Sequence, residues 1–357
     1  MEKHKHKHGG DIYSREYKVD YSANINPLGP PESVVRAVKE SAGAIQNYPD
    51  VSQRRLRSAL SAHEQVPESW LIFGNGAAEL IFSLCLGLRP GKALLSAPGF
   101  AEYEEALRGC GCEIVWYRRK EAADFLLGED YLEAITPDLD LLFLCNPNNP
   151  TGALTDPVML RSIAGRCAEY QILMVVDECF NGFLDEPERY SMKSCLSEFP
   201  NVFLLKAFTK LYAMPGLRLG YGICPDGRVL EQMRRVMQPW SVSVPAQEAG
   251  VAALSEGEYV EQSRMVVRRE RAYLLEGLRA LGLTVWEGAA NFLFFRGPED
   301  LGEACREEGY LIRDCSNYRE LAKGYYRIAV RTRSENREFL EALREIMRRQ
   351  NTWQRQL

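Results

Sequence analysis

Three short segments carry side chains able to do chemistry. Asn146-Pro147-Asn148-Asn149-Pro150-Thr151-Gly152 presents amides on a tight turn, Asp177-Glu178 adjacent carboxylates, and Thr209-Lys210 an amine, followed by Pro215-Gly216-Leu217-Arg218-Leu219-Gly220. A lysine becomes a nucleophile toward a carbonyl carbon when burial or a cationic neighbourhood lowers its pKa. A fixed carboxylate such as Asp177 can keep a ring nitrogen protonated, although at the same place it could also cap a helix. A fourth segment, Gly74-Asn75-Gly76-Ala77-Ala78-Glu79, reads as a helix start. The free backbone N–H groups of such a start, joined by a cation such as Arg218, suit a phosphate. Taken singly these signals are weak, since the turn is of an ordinary kind and a lone lysine after a strand is usually solvated.

Groups of this kind need to be held at strand ends, because in an open α/β sheet the ligand crevice lies outside the carboxyl ends of the strands. Through the middle of the chain short apolar runs alternate with amphipathic stretches, the sign of βαβ units and a mainly parallel sheet. Strands are expected at 70–73, 93–96, 141–145, 173–176, 202–205 and 219–223. After the third of these, Asp156 is placed to cap a helix with Pro157 at its first position. From about residue 255 the pattern turns to long helical segments rich in Arg and Glu, then a strand-like stretch at 291–295 and a terminal helix from about 335. Pro27, Gly29, Pro30 and Pro31 make the opening an extended arm that leads into a helix near Glu32. The expected division is an N-terminal arm and the start of a small domain over 1–40, a large domain over 41–245 and a C-terminal small domain over 246–357.

Size and charge agree with such an α/β enzyme. A chain of 357 residues, 46% of them hydrophobic, can bury more core than one domain usually holds. The net charge of −5 is spread along the chain without blocks, which argues against nucleic acid or a membrane surface as a partner. The ten cysteines include no C-x-x-C pair, and Cys85, Cys145 and Cys224 sit in apolar stretches, so a reducing cytoplasm is expected. The opening residues contain no apolar core of a signal peptide, and no run reaches the roughly 18 to 20 apolar residues of a membrane span. A soluble protein without a metal site follows. The one low-complexity stretch is His4-Lys5-His6-Lys7-His8, where His4 and His6 could bind a metal adventitiously or belong to a disordered basic arm.

In this order and at this spacing, the asparagine turn, the aspartate, the lysine and the Arg-Leu-Gly segment resemble the pyridoxal-phosphate-dependent fold-type I family, over nearly the whole chain. The resemblance implies an α/β transferase fold with a mainly parallel central sheet in the large, cofactor-binding domain and a smaller α+β domain. It implies pyridoxal 5′-phosphate as cofactor and Lys210 as the catalytic residue that carries it. Asp177 would meet the pyridine nitrogen, Asn149 the phenolic oxygen, and Phe100, in Pro98-Gly99-Phe100, the face of the ring, with plain core packing as the alternative for Phe100. The cofactor phosphate would rest on Gly76, Ala77 and Ala78 with Thr209, Arg218 and Tyr48. Tyr48 matches a tyrosine that in this family reaches the neighbouring subunit's site, which implies a homodimer with shared active sites. Ala207 stands where the family usually has Ser or Thr, and Ala77 and Ala78 where relatives often carry polar side chains. The phosphate cup would therefore depend more on backbone, Thr209, Arg218 and Tyr48.

The two ends of the chain narrow the reaction. His8-Gly9-Gly10-Asp11-Ile12, the stretch 20–30, Pro239-Trp240-Ser241-Val242 and the stretches 312–318 and 325–331 are similar to the branch of this family that decarboxylates L-threonine O-3-phosphate in cobalamin biosynthesis. That likeness implies Arg327 for the substrate carboxylate, to which a bidentate guanidinium is suited, and His8, Asn24 and Arg313 for the substrate phosphate. Arg313 and Arg327 could instead be surface ion-pair partners. Phe180, three residues after Asp177, stands where histidinol-phosphate aminotransferases carry Tyr. The implied reaction gives (R)-1-amino-2-propanol phosphate, with Lys210 or a water returning the proton to Cα, and L-serine O-phosphate is a second possible substrate. A phosphate-recognising aminotransferase such as histidinol-phosphate aminotransferase is the alternative. A regulatory cofactor-binding protein without catalysis is disfavoured, because Lys210, Asp177, Asn149 and Arg327 are all present and no DNA-binding segment is attached.

Overall fold

The computed structural model describes residues 8–354, so His4 and His6 lie outside the described residues. A two-residue strand β1 (Val19–Asp20) precedes seven strands that form one sheet. These are β2 (Leu71–Asn75), β3 (Lys92–Ala97), β4 (Glu113–Arg118), β5 (Leu141–Cys145), β6 (Leu173–Asp177), β7 (Val202–Ala207) and β8 (Leu219–Ile223). Their order is β2-β8-β7-β6-β5-β3-β4. All neighbours run parallel except β8, which is antiparallel to both β2 and β7. Sequence patterning located six of these strands to within one or two residues. It missed β4, whose Glu, Trp, Tyr and Arg residues are at most half-buried at the sheet edge.

Strand β5 explains the architecture in miniature. Its five residues are all buried, as expected where helices cover both faces of a sheet. Leu142 and Leu144 point into one apolar cluster and Leu141, Phe143 and Cys145 into another, the period of two that a pleated strand imposes. The helix that follows begins as the sequence indicates, with Pro157 first and the Asp156 carboxylate accepting from Val158 N at 2.8 Å.

A second, four-stranded antiparallel sheet contains β9 (Thr284–Trp286), β10 (Phe292–Arg296), β12 (Arg313–Asp314) and β13 (Tyr325–Ala329), in the order β12-β13-β10-β9. Strand β11 (Tyr310–Leu311) instead pairs in parallel with β1. The N-terminal arm is thereby woven into this smaller body. Tyr21 stacks on Phe339 with ring centroids 4.4 Å apart, and its backbone bonds to Leu311 and Ala329. The helix Val244–Ala253 runs across residue 245, and its Ala246, Ala249 and Ala253 pack in the cluster that contains Leu142 and Leu204. Core packing thus favours a division after this helix. No helix among the described residues is long and apolar enough to cross a membrane.

A buried ionic network ties the helix Arg54–Glu64 to the sheet. Glu64 is 5% exposed and takes Lys193 Nζ and Lys206 Nζ, each at 3.0 Å, together with the Tyr221 hydroxyl. Burial alone would raise the Glu64 carboxyl above its ordinary 4.5, but the two ammonium groups and the tyrosine hydrogen bond outweigh it and hold it at about 2. A depressed carboxyl stabilises the fold fully above its unfolded value, and that stabilisation is lost as pH falls toward the folded one. The urea midpoint should therefore drop between about pH 5 and pH 2. Glu64→Gln, which leaves two mostly buried ammonium groups short of charge, should cost about 3–5 kcal/mol at pH 7 and flatten that dependence.

Candidate active site

The groups singled out in the sequence converge on one edge of the large sheet. Asn149 follows β5, Asp177 ends β6 and Lys210 sits in the one-turn helix Phe208–Leu211 after β7, all at the carboxyl ends of parallel strands. Phe100 follows β3 and immediately precedes the helix Ala101–Gly109. Arg218 reaches the same edge from the opposite direction. It precedes β8, and because that strand is antiparallel its start lies beside the ends of β2 and β7.

The helix Gly76–Leu88 opens there too, and its first turn packs tightly. Gly76, at φ +77°, leaves no room for a β-carbon beside the Arg218 guanidinium, and Gly220 leaves none beside the backbone nitrogen of Ala77. The close approach lays the cation against the free N–H groups of the helix start. Ala77, Ala78, Ala207, Thr209 and Arg218 all line a cavity of about 360 Å³, within the usual range for small-molecule sites. Gly76 itself is not among its lining residues.

Lys210, Asp177, Asn149 and Phe100 line the same cavity. Burial lowers the Lys210 pKa, with repulsion from Arg327 and Arg218 acting in the same direction against the pull of Cys179 and Asp177. An amine so placed is more readily deprotonated and hence nucleophilic. Its helix is fixed from the N-terminal arm, where Asn26 donates from its backbone to Lys210 O at 3.1 Å and from its side chain to Leu211 O at 2.7 Å. Asp177 is held by Cys179 N at 2.9 Å and by the Tyr103 hydroxyl at 2.5 Å. Burial, and then the neighbouring Asp177 charge, raise the Tyr103 phenol well above its usual range, so it stays a proton donor.

The opposite wall comes from the smaller body and the arm. Arg327 donates to Asn149 Oδ1 and, at 2.8 Å, to Ser22 O, while Arg313 bonds Asn317 Oδ1 at 2.9 Å. Both arginines are buried, at 6% and 8% exposure, so neither is a surface ion-pair residue. Asn24 Oδ1 and Arg327 Nε are buried without a hydrogen-bond partner among the described residues. Two orphaned polar atoms beside this cavity are what a ligand-binding site would leave. His8 stands at the entrance, its Nε2 3.2 Å from Glu102 Oε1.

Tyr48 is not brought into the cavity. It is 79% exposed and stacks on Trp240 at 4.8 Å. Sequence reasoning also passed over several contributors. Tyr103 lies three residues after Phe100, in the helix that Phe100 precedes, a spacing that could have flagged it; Tyr318, Ser22 and Glu102 gave no signal of their own, because their partners are remote in sequence, and Cys179 acts through its backbone N–H.

The constellation suits pyridoxal 5′-phosphate: a deprotonatable lysine, a carboxylate fixed by two donors, an amide, and a helix start with an arginine for the phosphate. Comparison with known proteins agrees. The model of the family "Aminotransferase class I and II" matches residues 16–343. A threonine-phosphate decarboxylase from Salmonella typhimurium is 42% identical over 352 residues, covering 95% of this chain and 96% of that protein. The crystal structure of a histidinol-phosphate aminotransferase from Clostridium acetobutylicum superposes with a TM-score of 0.86 at 29% identity, covering 92% and 99% of the two chains. That of an L-threonine-O-3-phosphate decarboxylase from Porphyromonas gingivalis gives 0.82 at 25% identity, with the same coverage. The chain belongs to the class I and II aminotransferase family and is a pyridoxal-phosphate-dependent enzyme.

Proposed function

We propose that the enzyme decarboxylates L-threonine O-3-phosphate, with L-serine O-phosphate as a second substrate, to an amino-alcohol phosphate, (R)-1-amino-2-propanol phosphate from the threonine compound, as a step of cobalamin biosynthesis. The observation that carries this reading is the second cationic end of the cavity, where Arg313 and Arg327 lie with Asn24 and His8. That end supplies recognition for two anionic groups, a carboxylate and a phosphate. The 42% identity to a named threonine-phosphate decarboxylase supports the same reading.

Bound pyridoxal phosphate supplies an electron sink for the pair left when a bond to Cα breaks. The chain's own residues decide which bond that is. Lys210 would carry the cofactor and, once the substrate amine has displaced it, its freed amine could return a proton to Cα. Asp177, kept in place by Tyr103 and Cys179, would serve the pyridine nitrogen, Asn149 the phenolic oxygen and Phe100 the face of the ring. The helix start at Gly76, Ala77 and Ala78, with Thr209 and Arg218, takes the cofactor phosphate. Arg327 orients the substrate carboxylate, and Arg313, Asn24 and His8 grip the substrate phosphate, so that binding energy far from Cα is spent on orientation. Phe180 lines the cavity with an edge-on contact to Phe292 and brings no hydroxyl to it.

The working unit is a homodimer in the cytoplasm. The exposure of Tyr48 beside Trp240, flanked by exposed Ile45 and Val51, supports the shared site, and the ten free cysteines support a reducing compartment. A second reading, a histidinol-phosphate aminotransferase, is favoured by the 0.86 TM-score to such an enzyme. The two separate on one assay: the loaded protein should release carbon dioxide from L-threonine phosphate without 2-oxoglutarate. Formation of glutamate from added 2-oxoglutarate with histidinol phosphate as amino donor, and no carbon dioxide from threonine phosphate, would instead establish the aminotransferase.

Lys210→Ala should abolish both turnover and the visible absorbance of the bound cofactor; ordinary turnover in that variant would place the chemistry elsewhere. Arg313→Ala removes a charged hydrogen bond to the substrate phosphate and should raise KM by about tenfold or more, with cofactor affinity nearly unchanged in a fluorescence titration.

A further inference from the structure

We propose that Tyr318 is a positioning residue for the cofactor: with Arg327 it pins the carbonyl end of Asn149, so that the amide NH2 is turned toward the cofactor's phenolic oxygen. The inference deepens the proposed function and depends on its assignment of Asn149.

The geometry leaves the amide little choice. Arg327 NH1 and the Tyr318 hydroxyl, the latter at 3.3 Å, both meet Asn149 Oδ1. A guanidinium can only donate, so the atom it touches must be the oxygen, whichever way the amide is drawn. With the oxygen held by two donors, the other end of the amide is left to donate into the cavity that Asn149 lines. Tyr318 is itself buried, at 7% exposure. Burial raises its phenol against the opposing pull of Arg327 and Arg313, so the hydroxyl keeps its proton.

Tyr318 is also braced as a positioning group should be. The Arg313 guanidinium lies 5.2 Å from the centre of its ring, which packs the tyrosine directly against the substrate-phosphate end of the site. The next two residues fasten its loop to the large body. Arg319 bonds Glu104 Oε1 at 3.0 Å and lies over the Trp116 ring at 4.2 Å, and Glu320 pairs with Arg118 at 3.0 Å. One aromatic side chain therefore connects the residue proposed to sense substrate phosphate with the residue proposed to tune the cofactor. The charged groups around it are Arg313 and Arg327, with Lys210 and Asp177 across the cavity.

The test is a comparison of the loaded Tyr318→Phe, Asn149→Ala and double variants by the pH midpoint of the bound cofactor's visible absorbance. A donor on the phenolic oxygen draws off negative charge that would otherwise favour a proton on the neighbouring nitrogen, so removing the donor raises the midpoint. Tyr318→Phe keeps the ring under Arg313 and deletes the hydrogen bonds of the hydroxyl, to Asn149 and to Arg313. It should raise the midpoint by about half a pH unit and lower kcat. The double variant should match Asn149→Ala, because the tyrosine acts through the amide. If Asn149→Ala moves the midpoint while Tyr318→Phe does not, or if the two effects add, the positioning role is overturned and the Asn149 assignment survives. If neither variant moves it, the assignment of Asn149 falls and the role of Tyr318 falls with it.

Discussion

Keeping an amine reactive means keeping it out of water, and the rest of this molecule is arranged around that demand at Lys210. The large sheet delivers the residue at the end of β7, but the strand alone would leave it solvated. Closure comes from the arm and the smaller body: Asn26 bonds the backbone of Lys210 and Leu211 and also reaches Ser263, while Arg327 and Arg313 complete the far wall. Arg327 and Arg218 also press on the lysine, so the residues proposed to bind anions share one electrostatic arrangement with the amine. Desolvation dominates the shift, so the fit of the walls matters more to the amine than any one charge.

The contrast with Glu64 shows that burial has no fixed sign in this fold. Glu64 is buried as deeply as the active-site groups, yet two ammonium partners and a tyrosine keep it ionised. Around Lys210 the pull of Cys179 and Asp177 does not outweigh burial and the two arginines, and its charged form is disfavoured. One buried ionic cluster braces the sheet, and a few residues along the chain a buried amine is left poised to react. The difference lies in whether the opposite charges outweigh the loss of water.

Much of this was legible in the sequence because strand ends are easy to find. Apolar runs such as 141–145 mark parallel strands, and whatever follows them lies at the carboxyl edge, where Asn149, Asp177 and Lys210 are found lining one cavity. What could not be read was pairing across long separations. No local pattern says that β8 runs against its neighbours, although that reversal is what brings Arg218 to the site. Nor does any local pattern connect Tyr103 with Asp177, or Tyr318 with Asn149, which lies 169 residues away.

The hydrogen bond from Arg327 to the carbonyl of Ser22 joins residues 305 positions apart. A ribosome emitting this chain from its N-terminus therefore makes the sheet and the lysine long before the arginine that closes the cavity exists. The Ser22 carbonyl on the arm must wait for this partner through almost the whole of synthesis, although domains fold as units while the chain is still emerging. Capture of the cofactor in a closed site is thus a late event in biogenesis, and a chain broken off before residue 327 could hold a well-formed sheet and still lack the wall that makes it an enzyme.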